Sequence, residues 1–229
     1  MNILALDSSG EILSTALSTF SGVWYTEIDA GSRHSELMME CVDGLCKSSG
    51  LSPSELQLVA CMQGPGSFTG LRIGFSSAKG IALALGIPFT AVPTLDCLAW
   101  PLSAWPGIVV PAMDAKKNCF FTALYRKGKQ LSEYMDAPAE LIAEELSKAR
   151  LSDDEPVIVT GTGAKTLLPL LAECMVTCYT TLDPGWRRGR ARELLEISNH
   201  VDFFSGISTD SGPLYLRKSD AELYYGVCR

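Results

Sequence analysis

Gly64-Pro65-Gly66-Ser67-Phe68-Thr69-Gly70-Leu71-Arg72-Ile73-Gly74 is the stretch whose reading decides the fold. It follows an apolar run, Leu56 to Met62, and opens a helix-like run from Phe68 to Leu85, so it reads as a strand-to-helix turn of an α/β domain. Gly64 and Gly66 permit unusual backbone angles, Pro65 stiffens the turn, and Ser67 stands in N-cap position. Beyond the turn, Gly70, Gly74, Ala78 and Ala82 recur every fourth residue as a row of small side chains on one helix face. Glycine inside a helix costs about 1 kcal/mol against alanine, so close approach of another backbone is the expected reason for the row. A phosphate cradle is the competing reading. The Walker spacing fails because no lysine follows the turn, and the dinucleotide fingerprint fails because Thr69 stands where its third glycine belongs. A structural turn is favoured.

With 229 residues the chain can bury a sizeable core and hold one domain or two small ones. Its net charge of -7 repels a phosphate backbone, which argues against strong nucleic-acid binding by this chain alone. The one basic cluster, Arg187, Arg188, Arg190 and Arg192, reads as the solvated start of a helix, since no aromatic ladder accompanies it. Eight cysteines are scattered without a C-x-x-C, and Cys41, Cys46, Cys61 and Cys97 sit in apolar runs as small hydrophobes. Cys174 and Cys178 share a helix-like spacing, but no second ligand pair stands near them, so a zinc site is not expected. The N-terminus, Met1 to Asp7, does not read as a signal peptide, and no run is long enough to span a bilayer. A reducing cytoplasm is the expected compartment.

Taken in order, Ile3 to Asp7, Ile12 to Ser18 and Val23 to Ile28 read as an antiparallel meander, with Ser8-Ser9-Gly10-Glu11 and Ser21-Gly22 as turns. Then follow a helix over His34 to Lys47, a strand over Leu56 to Met62, the central helix, a strand over Phe89 to Val92 and a short helix over Thr94 to Trp100. After Pro101 and Pro106 the order begins again. Strands are expected at Ile108 to Met113, Phe120 to Arg126, Gln130 to Tyr134, Val157 to Thr160 and Val176 to Tyr179, and helices at Pro138 to Lys148, Lys165 to Cys174 and Arg190 to Ser198. Two successive copies of β-β-β-α-β-α-β-α suggest a duplicated α/β unit, and the tail from Leu214 onward can return to either half.

This doubled order, with strands ending in Asp7 and Asp114, resembles the actin, Hsp70 and sugar-kinase ATPase superfamily. More sharply, Ile3-Leu4-Ala5-Leu6-Asp7-Ser8-Ser9, His34-Ser35-Glu36, Gly64 to Gly74, Pro93-Thr94-Leu95, Val157 to Ala164 and Tyr215-Leu216-Arg217 resemble the TsaB (YeaZ) family over nearly the whole chain. The chain departs from the family's usual pattern after Asp114, at Lys116-Lys117-Asn118-Cys119-Phe120. The resemblance implies two tandem ribonuclease-H-like (actin-like ATPase) domains, 1–104 and 105–229, each a mixed five-stranded sheet with helices, whose last helix can return to the first. It implies an accessory subunit for N6-threonylcarbamoyladenosine synthesis in tRNA, working with a TsaD-type catalytic partner and a TsaE-type ATPase. Alone the chain would form a homodimer, and it would meet tRNA only through the complex. ATP or ADP and metal are expected on the partner or at the joint interface, with no cofactor required by the isolated chain. The alternative is a small-molecule kinase or nucleotide hydrolase of the same superfamily.

No catalytic or metal residue is expected. The catalytic relatives hold a metal with two histidines one helical turn apart, and here Met38 follows His34 in the second place, while the only other histidine is His200. Asp7, Ser8, Asp114, Gly161 and Gly163 stand where the superfamily places its phosphate and adenosine loops, and are expected as vestigial nucleotide-binding residues. Asp7-Ser8-Ser9 lacks the glycine that would let backbone wrap a phosphate, so a hairpin turn is the stronger reading there. A serine-hydrolase elbow is also out of register, because Gly66-Ser67-Phe68 is not Gly-x-Ser-x-Gly. On the helix from His34 to Lys47 apolar residues spread over roughly 200°, twice the stripe a core-facing helix needs. The partner is therefore expected on His34, Leu37, Met38 and Cys41 together with Leu71 and Phe75 of the central helix, in a four-helix interface, with the opposite edge at Met39 as a close second candidate and cover by the chain's own loops as the alternative to an interface.

Overall fold

The computed structural model describes residues 1–175, 178–199 and 212–217. These form two units. In the first, β1 (Ile3–Asp7), β2 (Ile12–Thr19) and β3 (Gly22–Asp29) make the antiparallel meander, and β4 (Leu58–Gly64) and β5 (Phe89–Pro93) run parallel to β1. The sheet order is β3-β2-β1-β4-β5. Because successive side chains of a strand point to opposite faces, β1 serves two cores. Leu4 and Leu6 pack against α1 (His34–Ser49) and α2 (Phe68–Leu85), whereas Ile3 and Ala5 pack on the other side with Cys97 of α3 (Thr94–Ala99). The central helix starts and stops where its local chemistry directs. The hydroxyl of Ser67 accepts from the Gly70 N–H at 3.3 Å, and Gly86, left-handed at φ 65°, returns its N–H to the last turn.

The second unit also holds a mixed sheet, but with seven strands where the sequence suggests five. They are β6 (Ile108–Asp114), β7 (Cys119–Thr122), β8 (Tyr125–Arg126), β9 (Lys129–Gln130), β10 (Met135–Pro138), β11 (Val157–Thr160) and β12 (Thr180–Leu182). The main order is β10-β7-β6-β11-β12, and β8 pairs with β6 and β9. The strand expected from Phe120 to Arg126 breaks after Thr122, where the Leu124 N–H turns to the Ser132 hydroxyl at 3.0 Å. Lys127 and Gly128 then take left-handed angles, so the strand expected at Gln130 to Tyr134 becomes β9 and, further on, β10. The last strand of this sheet forms at Thr180–Leu182; of the residues expected there, Val176 and Thr177 lie outside the described ones, and Tyr179 immediately precedes the strand. Helices α4 (Ala139–Ala149) and α5 (Ala164–Cys174) pack Ile142, Leu146, Leu167 and Leu171 onto Val110, Val157 and Val159.

The chain passes into the second unit after Pro101 and comes back at Arg187. Helix α6 (Ala191–Ser198), the final helix of the second copy in the sequence reading, belongs to the first unit, where Ala191, Leu194, Leu195 and Ile197 cover Ile3, Ala5 and Ala16. The tail residues 214–217 join the second unit.

Candidate functional site

Asp7 is only 4% exposed, and both of its oxygens are occupied. Oδ1 accepts from Ser9 N at 3.0 Å and Ser9 Oγ at 2.7 Å, and Oδ2 accepts from Arg190 N at 2.8 Å at the start of α6. The carboxylate thus closes its own turn and caps a helix. The glycine-rich stretch lies directly on this turn. Ser67 N donates to Ser9 O at 2.7 Å and Ser8 Oγ to Gly70 O at 2.8 Å. A Cβ at Gly70 would stand 2.0 Å from Ser8 O, one at Gly66 2.6 Å from Ser9 O, and one at Gly74 2.6 Å from Ser8 Oγ. The backbone that approaches the small-residue row is therefore the chain's own Ser8-Ser9 turn, with Ala78 and Ala82 buried farther along against the sheet.

In the second unit Asp114, Gly161 and Gly163 do come together. Gly163 N donates to Ala112 O at 2.9 Å, and a Cβ on Gly163 would meet the Asp114 nitrogen at 2.9 Å. Gly161 takes φ 91°. Asp114 is engaged by Lys116, whose N–H and ammonium donate at 2.7 and 2.8 Å. Partial burial works to raise the pKa of Asp114, and the hydrogen bonds and charge of Lys116 outweigh it, leaving the pKa lowered. Lys116, Lys117 and Asn118 all adopt left-handed angles near φ 60°, an unfavourable run for residues with a Cβ. Arg217 secures the base of this loop. It forks Asp136 with two 2.6 Å bonds, donates to Ala115 O at 2.5 Å and lies over the Phe121 ring. Sequence resemblance marked Arg217; its partner Asp136, far away in the chain, carried no signal.

Most residues of the expected partner face are buried within the first unit. His34 (5% exposed), Met38 (1%), Cys41, Leu71 and Phe75 are buried, Met38, Cys41 and Phe75 in one core against which the half-buried Leu37 packs, and Leu71 in the core that α6 covers. The wide apolar arc of α1 has an internal cause, since the helix packs on β2 and β3 and also touches α2. His34 Nε2 is buried without a hydrogen-bond partner. Solvent instead meets Glu36, Met39, Glu40, Asp43 and Gly44 on α1, and Phe68, Arg72, Ser76, Gly80 and Leu83 on α2. A shallow 540 Å³ cleft lined by Ser35, Phe68, Thr69, Arg72, Ile73, Ser76 and Ser77 lies on this side, where the Arg72 guanidinium stacks 3.9 Å above the Phe68 ring. Gly44 and Gly80 are mid-helix glycines with nothing within 4 Å of where a Cβ would stand, so no packing inside the chain explains them.

The basic cluster is largely neutralised by acids of its own unit. Arg187 bridges Glu11 at 3.3 Å and Asp29 at 2.8 Å, Arg188 approaches Glu27 at 3.7 Å, Arg190 bridges Glu193 at 3.3 Å and Arg192 approaches Glu196 at 3.7 Å. The protein alone is expected to bind tRNA with a dissociation constant weaker than about 1 μM at physiological salt. A filter-binding titration checks this; tight binding abolished by Arg187→Ala with Arg188→Ala would show that the cluster contacts RNA. Among the described residues no three His, Cys, Asp or Glu side chains converge as metal ligands, and no helix is long and apolar enough to cross a membrane. His200 lies outside the described residues.

Residues 18–179 match the family model for TsaD, tRNA N6-adenosine threonylcarbamoyltransferase. The tRNA threonylcarbamoyladenosine biosynthesis protein TsaB of Bacillus subtilis (strain 168) is 31% identical over 164 residues, 70% of this chain and 71% of that one. Its counterpart in Escherichia coli (strain K12) is 30% identical over 169 residues, covering 71% and 72%. A solved Pseudomonas aeruginosa structure described as similar to peptidase YEAZ superposes with a TM-score of 0.79 at 26% identity, over 94% of this chain and 99% of that one. The ethanolamine utilization protein EutJ of Carboxydothermus hydrogenoformans, at 12% identity and a TM-score of 0.52 over 81% of this chain and 86% of that one, shares the fold. With its paired mixed sheets, its glycine-rich turn seated on Asp7-Ser8-Ser9, and relatives of this identity and coverage, the chain belongs to the TsaB (YeaZ) family of tRNA threonylcarbamoyladenosine biosynthesis proteins.

Proposed function

We propose that this chain is a non-catalytic scaffold that supports a TsaD-type catalytic partner in threonylcarbamoyladenosine synthesis on tRNA, its two units being ribonuclease-H-like domains of the actin-like type. The observation that carries the non-catalytic reading is the state of the two aspartates. Asp7 is buried and occupied by Ser9 and the α6 N-terminus, and the half-exposed Asp114 accepts from the Lys116 N–H and ammonium, positive charge placed where a nucleotide hydrolase would need a carboxylate free for metal and phosphate. On this reading ATP or ADP and metal belong to the partner or to the joint interface, a TsaE-type ATPase joins the complex, and the setting is the cytoplasm. The kinase or hydrolase alternative requires magnesium-dependent ATP turnover by the pure chain above background.

The partner surface is proposed on the outward sides of α1 and α2, displaced from the buried residues to their exposed neighbours. Exposed mid-helix glycines cost helix stability, and Gly44 and Gly80 gain no contact within the chain in return. A helix from another chain could approach closely at both points, with Met39 and Leu83 as apolar anchors, 51% and 85% exposed. Without the catalytic partner, the same surface would pair with a second copy. In a reconstituted system we expect tRNA modification to require this chain and to fall at least tenfold with Met39→Glu and Leu83→Glu combined, the variant keeping its wild-type melting temperature. Full-rate modification without this chain would remove the scaffold reading, and a folded double variant at full rate would move the surface elsewhere.

A further inference from the structure

Of the two edges of the first sheet, β5 is buried at four of its five residues, whereas none of the eight residues of β3 is buried. The two-residue turn at Phe20-Ser21 closes on the pair Thr19 and Gly22. In the uninterrupted register that follows, alternation turns the backbone groups of Val23, Tyr25, Glu27 and Asp29 away from β2. Among the described residues no hydrogen bond reaches those groups. Exposed edges are ordinarily blunted by lysine, proline, a bulge or short length, and β3 has none of these. Its two acids are met inside the unit, Glu27 by the Tyr25 hydroxyl at 2.5 Å and by Arg188 at 3.7 Å, and Asp29 by Arg187 at 2.8 Å.

We propose that β3 is a self-pairing edge: a second copy of the chain adds its own β3, antiparallel across a two-fold axis at Thr26, and joins two five-stranded sheets into one. Thr26 is the midpoint of the four outward-facing residues, so this register pairs all of them, Val23 with the copy's Asp29 and Tyr25 with the copy's Glu27, each twice. Centring on Tyr25 leaves Asp29 without a mate, and centring on Glu27 sets that carboxylate against itself. With Thr26 on the axis no acid lies across from an acid. Trp24, which packs on the α1 side of the sheet, lies across from the copy's Ile28, an aromatic against a β-branched side chain. What selects a copy of this chain over a foreign strand is α1. It packs over β2 and β3, so the two-fold sets a second α1 two strand spacings away, about 10 Å, the separation of packed helices. At about 100° per residue, Gly44 stands about 180° round α1 from Ser35, which shares a cleft with α2, so Gly44 lies on the flank above the β3 edge. The backbone that approaches its open Cβ position is the copy's own α1. Met39 and Leu83 take no part, so this surface is separate from the proposed partner face.

Sedimentation and cysteine cross-linking of the full chain test this. Concentration-dependent dimerisation should persist in the Met39→Glu, Leu83→Glu variant and be lost when Val23→Pro is added, because proline removes an outward donor and leaves the ladder to β2 intact. The melting temperature should not move with Val23→Pro. Thr26→Cys should form a disulfide-linked dimer in air faster than the parent chain, since a residue on the axis meets its own image with Cα atoms about 4.5 Å apart. Val23→Cys, at a position 57% exposed where Thr26 is half-buried, faces the copy's Asp29 and should link no faster than the parent. A Met39→Glu, Leu83→Glu protein that stays monomeric would overturn the pairing, leaving the edge to a strand of another protein and the partner face untouched. Val23→Cys linking as fast as Thr26→Cys would overturn it as well.

Discussion

Gly70→Ala should abolish folding of the first unit, while Gly80→Ala, ten residues along the same helix, should raise the melting temperature of the isolated chain. At Gly70 the new methyl would stand 2.0 Å from the Ser8 carbonyl oxygen, a backbone atom of a turn held by the Ser9 bonds to Asp7 and the Ser8 hydroxyl bond to Gly70 O, so it cannot swing aside. Either α2 lifts from β1 or the turn breaks. Overpacking of this kind costs roughly 3 kcal/mol or more, a large share of the 5–15 kcal/mol that holds a domain folded. At Gly80 nothing lies within 4 Å, and alanine gains its helix propensity of about 1 kcal/mol, or roughly 2–4 °C in a chain of this size. If the outer side of α2 docks a partner helix, the same Gly80→Ala should weaken that association even as it stabilises the chain. Thermal melts with an association assay separate the outcomes. A Gly70→Ala protein melting like wild type would mean that the turn does not pack as described.

Glu155→Ala should cost about 3–5 kcal/mol at neutral pH, because it strands a largely buried guanidinium. Glu155, with a side chain 8% exposed, accepts from Arg126 Nε at 2.7 Å, from Arg126 Nη2 at 2.9 Å and from Leu151 N at 2.7 Å. Burial works to raise its pKa, and the Arg126 and Leu151 hydrogen bonds with the charges of Arg126 and Arg150 carry it below the ordinary 4.5. A carboxyl whose folded pKa is depressed contributes fully above its unfolded value, and that contribution fades as pH falls from there through the folded pKa. Denaturant midpoints measured from pH 7 down to pH 3 should therefore fall more steeply for wild type than for Glu155→Ala. Parallel curves would show that the pair contributes nothing specific.

Local chemistry made much of this fold legible. Ser67 and Gly86 delimit α2 at the residues the sequence indicates, and Val157–Thr160 is a four-residue apolar strand at the positions expected for it. What local pattern could not convey was pairing at long range. The hydrogen bond from Arg190 to Asp7 joins residues 183 apart, and it turns an apparent ligand loop into a helix cap. The apolar arc of α1 was legible as an arc, but whether a sheet, a neighbouring helix or another protein covers it depends on tertiary placement. The split of the second meander into β8, β9 and β10 turns on Lys127 at φ 51°, an angle lysine seldom adopts and composition does not announce.

The return of α6 to the first sheet has a consequence for synthesis on the ribosome. Met1 to Pro101 emerge first, yet Ile3, Ala5 and Ala16 have no complete cover until Leu194 and Ile197 leave the exit tunnel. At ordinary translation rates the intervening second unit takes on the order of 10 s to make, so the half begun first is the half finished last. During that interval one apolar side of the nascent sheet stays open to chaperones or to a neighbouring nascent chain. A polypeptide cut at residue 104 would hold that state permanently and should aggregate, whereas adding residues 187–199 back as a separate peptide should restore solubility.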